Sequence, residues 1–146
     1  MRRYIDHLMA LLPFEPDAHE RLGGPPCTYV GHPLVERLDW IHSQDPEAFA
    51  RRHGLDPRRP ILAVLPGSRR SEVGRLMEPF GGAVALLQAK FPDLQVVIPA
   101  VTSVRPLIEE KLRNWTVRPV IVEGEADKYA LFRLARAALA ASGTVA

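Results

Sequence analysis

The sequence predicts an α/β fold built on a parallel, doubly wound sheet. Ile61-Leu62-Ala63-Val64-Leu65 has no polar alternation and stands between Pro60 and Pro66, as a strand buried on both faces does. Leu94 to Ile98 repeats the pattern and stops at Pro99. Strand-like runs then alternate with helical ones as β-α-β-α-β-α-β from residue 61 onward, the order that gives parallel strands and right-handed crossovers.

The elements follow in order. Met1 to Leu12 is apolar in pattern without a cap, and Pro13-Phe14-Glu15-Pro16 stops it. Asp17 caps a short helix through Leu22, which Gly23-Gly24-Pro25-Pro26 ends. Cys27 to Val30 reads as a strand closed by Gly31-His32-Pro33, and Leu34 to Ile41 as a helix. Asp45-Pro46 is a strong helix start, with Asp as N-cap and Pro in the first turn, and Gly54 is its left-handed cap. After the 61–65 strand, Val73, Leu76 and Met77 give a short helical face. Pro79 fits poorly inside a longer helix, so a second one is expected from Pro79 to Lys90, with Phe80, Val84 and Leu87 buried. Helices over 104–113 and 127–136, a strand at Val120 to Val122 and a small-residue strand at Ala137 to Ala141 complete the pattern.

Composition excludes several classes. The chain has 146 residues, 47% of them hydrophobic, and a net charge of +2, enough for one ordinary globular domain with a real core and without a polyanion-binding excess. Fourteen prolines mark many element ends. The single Cys27 permits no internal disulfide, and no apolar run reaches the ~18 residues of a membrane span. Gly-x-Gly-x-x-Gly and Gly-x-x-x-x-Gly-Lys are absent, the five histidines are scattered, and no aromatic-basic interleaving suggests nucleic acid.

The turn after the first buried strand, Pro66-Gly67-Ser68-Arg69-Arg70, carries the chemistry. A strand, a glycine turn and a helix start aim backbone N–H groups and a positive helix end at one point, and the arginines add fork-shaped donors suited to phosphate. A solvated surface turn is the competing reading. Ser68 and Ser71 are the candidate helix caps; neither has Glu or Gln three residues on, so no capping box is expected. Ser142-Gly143-Thr144 follows another strand end, and in doubly wound sheets ligands lie at the strands' carboxyl ends. That turn opens a helix absent from the chain, so a fragment is expected, with one sheet face bare and ready unfolding or aggregation.

Four pieces in register resemble the lipid-A-disaccharide synthases: L-L-P-F-E-P at 11–16, V-G-H-P-L at 30–34, L-P-G-S-R-R-S-E-V at 65–73 and A-A-S-G-T at 140–144. The resemblance covers nearly the whole chain. It implies an inverting glycosyltransferase of the GT-B arrangement, with two Rossmann-like domains facing a cleft. Residues 1–42 would be the end of the N-terminal acceptor domain and the linker, and 43–146 a truncated UDP-sugar-binding domain. The implied reaction joins UDP-2,3-diacylglucosamine to 2,3-diacylglucosamine 1-phosphate, giving lipid A disaccharide and UDP. No metal or other cofactor and no nucleic-acid partner is implied. The setting is cytoplasmic, peripheral to the inner membrane, with the membrane met through the missing N-terminal domain.

By the same resemblance Gly67, Ser68 and Arg69 fall on the donor-phosphate turn, and Ser142, Gly143 and Thr144 on the second donor-side turn. Gly31 and His32 match a segment beside the cleft; His32 either faces ligand or, as the favoured reading, holds the turn. Glu15 is either buried or cleft-facing, and Arg70 is read as solvated. The family's ribose-binding Glu, in a Leu-Glu pair after Ser-Gly-Thr, lies beyond Ala146. The general base is expected outside this chain, so the chain alone is expected to be inactive. Two further readings stay open: a related UDP-sugar transferase or epimerase, and a nucleotide-binding module without catalysis.

Overall fold

The computed structural model describes residues 3–141 and comprises two compact units, Met1–His42 and Ser43–Ala146. In the first, β1 (Leu8–Ala10) pairs in parallel with β2 (Cys27–Tyr29), and α1 (Glu15–Arg21) connects them. The helix starts at Glu15, ahead of the cap expected at Asp17. The reason is local: Leu11 and Leu12 donate their N–H groups to Glu15 Oε2 at 3.0 and 2.8 Å, and Pro16 sits in the first turn. The helix expected from Leu34 is a 3-10 turn over Pro33–Arg37 followed by α2 (Leu38–His42). Only Ala10 and Pro25 are buried among the described residues of this unit, while Tyr4, Met9 and Leu22 are largely exposed.

The second unit has a real core. α3 (Pro46–Arg52) is capped by Asp45, whose Oδ1 accepts from the N–H groups of Glu47 and Ala48. It ends in a Schellman turn in which Leu55 N–H donates to the Ala50 carbonyl and Gly54 takes φ +65°. The sheet holds β3 (Ile61–Leu65), β4 (Gln95–Ala100), β5 (Val120–Glu123) and β6 (Ala137–Ala140) in the order β5-β4-β3-β6, all parallel. Side-chain alternation divides the core. Leu62, Val64, Val96 and Ile98 face Val73, Met77, Phe80 and Val84 of α4 (Arg70–Lys90), together with Ile108 and Leu112 of α5 (Arg105–Leu112). Ile61, Ala63, Leu65 and Val97 face Phe49 and Ala50 of α3, together with Ala130 and Leu131 of α6 (Glu125–Leu134).

Three expectations are corrected. No second helix begins at Pro79: α4 runs unbroken for 21 residues through it. Pro79 and Arg75 are both exposed, so the ring points to solvent and the Arg75 carbonyl, deprived of its helical donor, faces water. β4 continues through Pro99 because its ladder with β3 covers only 95–97; beyond that the strand pairs with β5, Pro99 opposite Val122. Both faces of the central strands are covered, and the exposed part is the edge strand β6, where Ala137, Ala138 and Ala140 are open to solvent.

Candidate functional site

The strand order places the topological switch point between β3 and β6. The chain leaves β3 toward β4 on one side and reaches β6 on the other, which opens a crevice at their carboxyl ends. Leu65 lies opposite Ala140, and Ala141 N–H donates to the Leu65 carbonyl at 2.9 Å. The Pro66–Arg69 turn therefore begins beside the end of β6. Ser142, Gly143 and Thr144 lie outside the described residues.

Within the turn, Gly67 has φ +111°. A side chain there would meet Glu72, since an added Cβ lies 2.4 Å from its Oε2 and 2.7 Å from its Cβ. Backbone geometry and space both demand glycine. Arg69, in extended conformation, is the N-cap of α4, contrary to the expected Ser68 or Ser71. Glu72, in the first turn of the helix, reaches back in the manner of a capping box. Its Oε2 accepts from the N–H groups of Ser68 (3.1 Å) and Arg69 (3.2 Å), and its Oε1 accepts from Arg69 Nη1 at 2.7 Å. The Arg69 guanidinium, and then the backbone N–H groups, hold the Glu72 carboxyl below the usual glutamate range. The turn thus gathers two backbone donors and one guanidinium around a single negative charge. Glu72 was missed in the sequence because capping was sought at serines. Its signal was its place three residues after Arg69.

Other groups share this end of the sheet. A hollow of ≈ 250 Å³ at the carboxyl ends of β4 and β5 is lined by Pro99, Ala100, Val101, Gly124, Glu125 and Lys128. Gly124, with φ +91°, opens α6 beside it. Arg105, at the start of α5, donates to Glu109 at 2.8 Å and to Glu123 at 3.0 Å. A larger hollow of ≈ 480 Å³, lined by Gly81, Lys111 and Trp115 among others, lies in the helix layer and not at the switch point. No group of three His, Cys, Asp or Glu among the described residues is disposed to hold a metal ion.

Of the remaining expected residues, Gly31, His32 and Glu15 are in the other unit. Gly31 has φ +85°, and His32 caps the 3-10 turn, its Nδ1 accepting from the Leu34 N–H at 3.1 Å. Glu15 is half-buried and closes its own helix start; Arg70 is exposed. The structure thus joins Gly67, Ser68 and Arg69 in one turn, while Gly31 and His32 form a separate local turn. No helix among the described residues is long and apolar enough to cross a membrane.

The family model described as Lipid-A-disaccharide synthetase matches residues 1–146. The chain is 54% identical over 145 residues to the lipid-A-disaccharide synthase of Rhodopseudomonas palustris (strain HaA2), covering 99% of this chain and 36% of that protein. It is 51% identical over 146 residues to the one of Nitrobacter winogradskyi, with 99% and 36% covered. For Rhodospirillum centenum the identity is 50% over 144 residues, with 99% and 35% covered. The chain therefore spans about a third of the length of the curated relatives it matches. With a match along its entire length, the chain belongs to the lipid-A-disaccharide synthetase family.

Proposed function

We propose that this chain carries the donor-phosphate seat of an inverting hexosyltransferase of lipid A biosynthesis. The reaction joins UDP-2,3-diacylglucosamine to 2,3-diacylglucosamine 1-phosphate. The acceptor hydroxyl oxygen forms a bond to the anomeric carbon of the donor, and the bond from that carbon to the β-phosphate oxygen breaks. The hydroxyl proton passes to a base outside this chain, and UDP leaves. Residues 43–146 form part of the UDP-sugar domain, and 1–42 the end of the acceptor domain and the linker. The enzyme works in the cytoplasm at the inner membrane surface, which its other part meets.

One observation carries this reading beyond family membership: the Ser68 and Arg69 N–H groups and the Arg69 guanidinium converge on one negative charge at the switch point. Gly67 lets a ligand approach the backbone. Arg69, at the start of a 21-residue helix, adds its charge to the positive helix end, so both stabilise the diphosphate as it leaves. By the family pattern, Ser142, Gly143 and Thr144 belong to the same donor site. The hollow at Pro99 and Gly124 is a place for the nucleoside.

The test compares calorimetric binding of UDP, ADP and uridine to the chain and to Arg69→Ala. UDP is expected to bind better than ADP, and Arg69→Ala to weaken UDP about tenfold or more while changing uridine little. Equal binding of UDP and ADP, or binding of neither, overturns the reading. Equal weakening of UDP and uridine removes Arg69 from the phosphates.

A further inference from the structure

We propose that Glu72 is a displaceable internal anion, filling the diphosphate seat when the site is empty and returning to it as the nucleotide leaves. The inference rests on the reading of Gly67–Arg69 as that seat. Its starting point is a conflict of occupancy. The backbone donors that a phosphate would use, the N–H groups of Ser68 and Arg69, both already point at Glu72 Oε2. The Arg69 guanidinium is tied to Oε1 of the same carboxylate. A phosphate oxygen cannot take the two N–H groups while Oε2 holds them, because one N–H makes one good hydrogen bond.

Two roles are open to such a carboxylate, and they differ in sign. As a fixed brace, Glu72 holds the turn and points Arg69, so its loss weakens phosphate binding. As an internal anion, it competes with phosphate for the same donors and repels the incoming charge, so its loss strengthens binding. Three features favour the second. The Glu72 side chain keeps 19% of its surface exposed, which leaves a way out to solvent. Arg69 is 65% exposed, and an ion pair so open to water anchors weakly. The place a Cβ on Gly67 would take is filled by the Glu72 side chain, so that side chain swings past no Cβ at residue 67. Repulsion between a retained carboxylate and a diphosphate competing for the same donors, by contrast, acts at contact distance, well inside the screening length. The consequence is a seat that is never bare: the turn keeps one geometry with and without nucleotide, and the returning carboxylate speeds release of the diphosphate product.

The experiment measures binding of UDP, inorganic pyrophosphate and uridine to the chain and to Glu72→Gln, with Arg69→Ala as reference. Glu72→Gln is expected to bind UDP and pyrophosphate about tenfold tighter, chiefly through slower dissociation, with uridine unchanged. Unchanged or weaker binding of UDP by Glu72→Gln overturns the proposal and leaves Glu72 a fixed brace. A second measurement needs no variant: the carboxyl carbon resonance of Glu72 in the unaltered chain is followed as pyrophosphate is added. A move to the position of a solvated carboxylate supports displacement, and an unmoved resonance at saturation overturns it. The two readings fail differently. If UDP binds and depends on Arg69 but Glu72→Gln gains nothing, only this inference falls. If neither UDP nor pyrophosphate binds to any variant, the phosphate seat falls with it.

Discussion

Trp115 lies directly over Gly81, its indole Nε1 donating to the Met77 carbonyl at 3.0 Å, so that the middle of α4 is fastened to the segment after α5 two residues either side of Pro79. A Cβ on Gly81 would stand 2.6 Å from that nitrogen and 2.8 Å from the adjoining ring carbon. Gly81→Ala is therefore expected to lower stability by about 1–3 kcal/mol through overpacking. Trp115→Phe, which keeps the ring bulk but loses the donor, should cost about 0.5–1.5 kcal/mol. Urea unfolding measures both, and a neutral Gly81→Ala would mean the indole moves aside.

Gly67→Ala meets two obstacles of different kind: a positive φ, and a Cβ that collides with Glu72. A loss of about 1–3 kcal/mol is expected in urea unfolding. In the double variant Gly67→Ala/Glu72→Ala the overlap with the carboxylate is gone, while the close approach to the residue-72 Cβ and the backbone strain remain, so only part of the loss should return. Full additivity of the two single effects would show that Glu72 does not occupy that space.

The acid limb of the stability curve should register Glu72. Its native carboxyl titrates below the ordinary glutamate value of 4.5, chiefly because of Arg69. A depressed native pKa means that the unfolded chain binds the proton first as pH falls. The contribution is fully present above the ordinary value and is lost as pH drops through the native one. The stability difference between the unaltered chain and Glu72→Gln should therefore be constant near neutrality and shrink below about pH 4.5. A difference independent of pH down to pH 2 contradicts the ion pair.

On the other face of the sheet, Asp127 of α6 accepts from Arg52 and pairs with His53 Nε2 at 2.6 Å, joining α3 to α6. Asp127→Ala leaves both partners unmatched, with the carboxylate only 17% exposed in the native state, and should cost about 1–3 kcal/mol by urea unfolding. Asp127→Asn, which keeps an acceptor, should recover part of that.

Hydrogen exchange should separate the two units. Strands β1 and β2 rest on a unit whose buried described residues are Ala10 and Pro25, whereas every residue of β3 is buried. Amides of 61–65 and 95–98 are expected to exchange orders of magnitude more slowly than those of 8–10 and 27–29. Equal protection in both would show the first unit to be as stable as the second.

From the sequence come the α/β class, the two buried strands at 61–65 and 94–98, the Asp45 cap and the Pro-Gly-Ser-Arg turn. Each is local: an unbroken apolar run, an Asp-Pro start and a glycine between strand and helix announce themselves within a few residues. Four short pieces in order also carried the family. What the tertiary structure alone decided is where distant segments meet. Pro79 stays inside α4 because its ring faces water, and Pro99 stays inside β4 because the ladder to β3 has already ended; neither fact is written near those prolines. Strand order, which puts Leu65 beside Ala140, depends on which helices cover which face. Glu72 filling the turn is decided the same way, since a side chain chooses among donors only once the backbone has set them side by side.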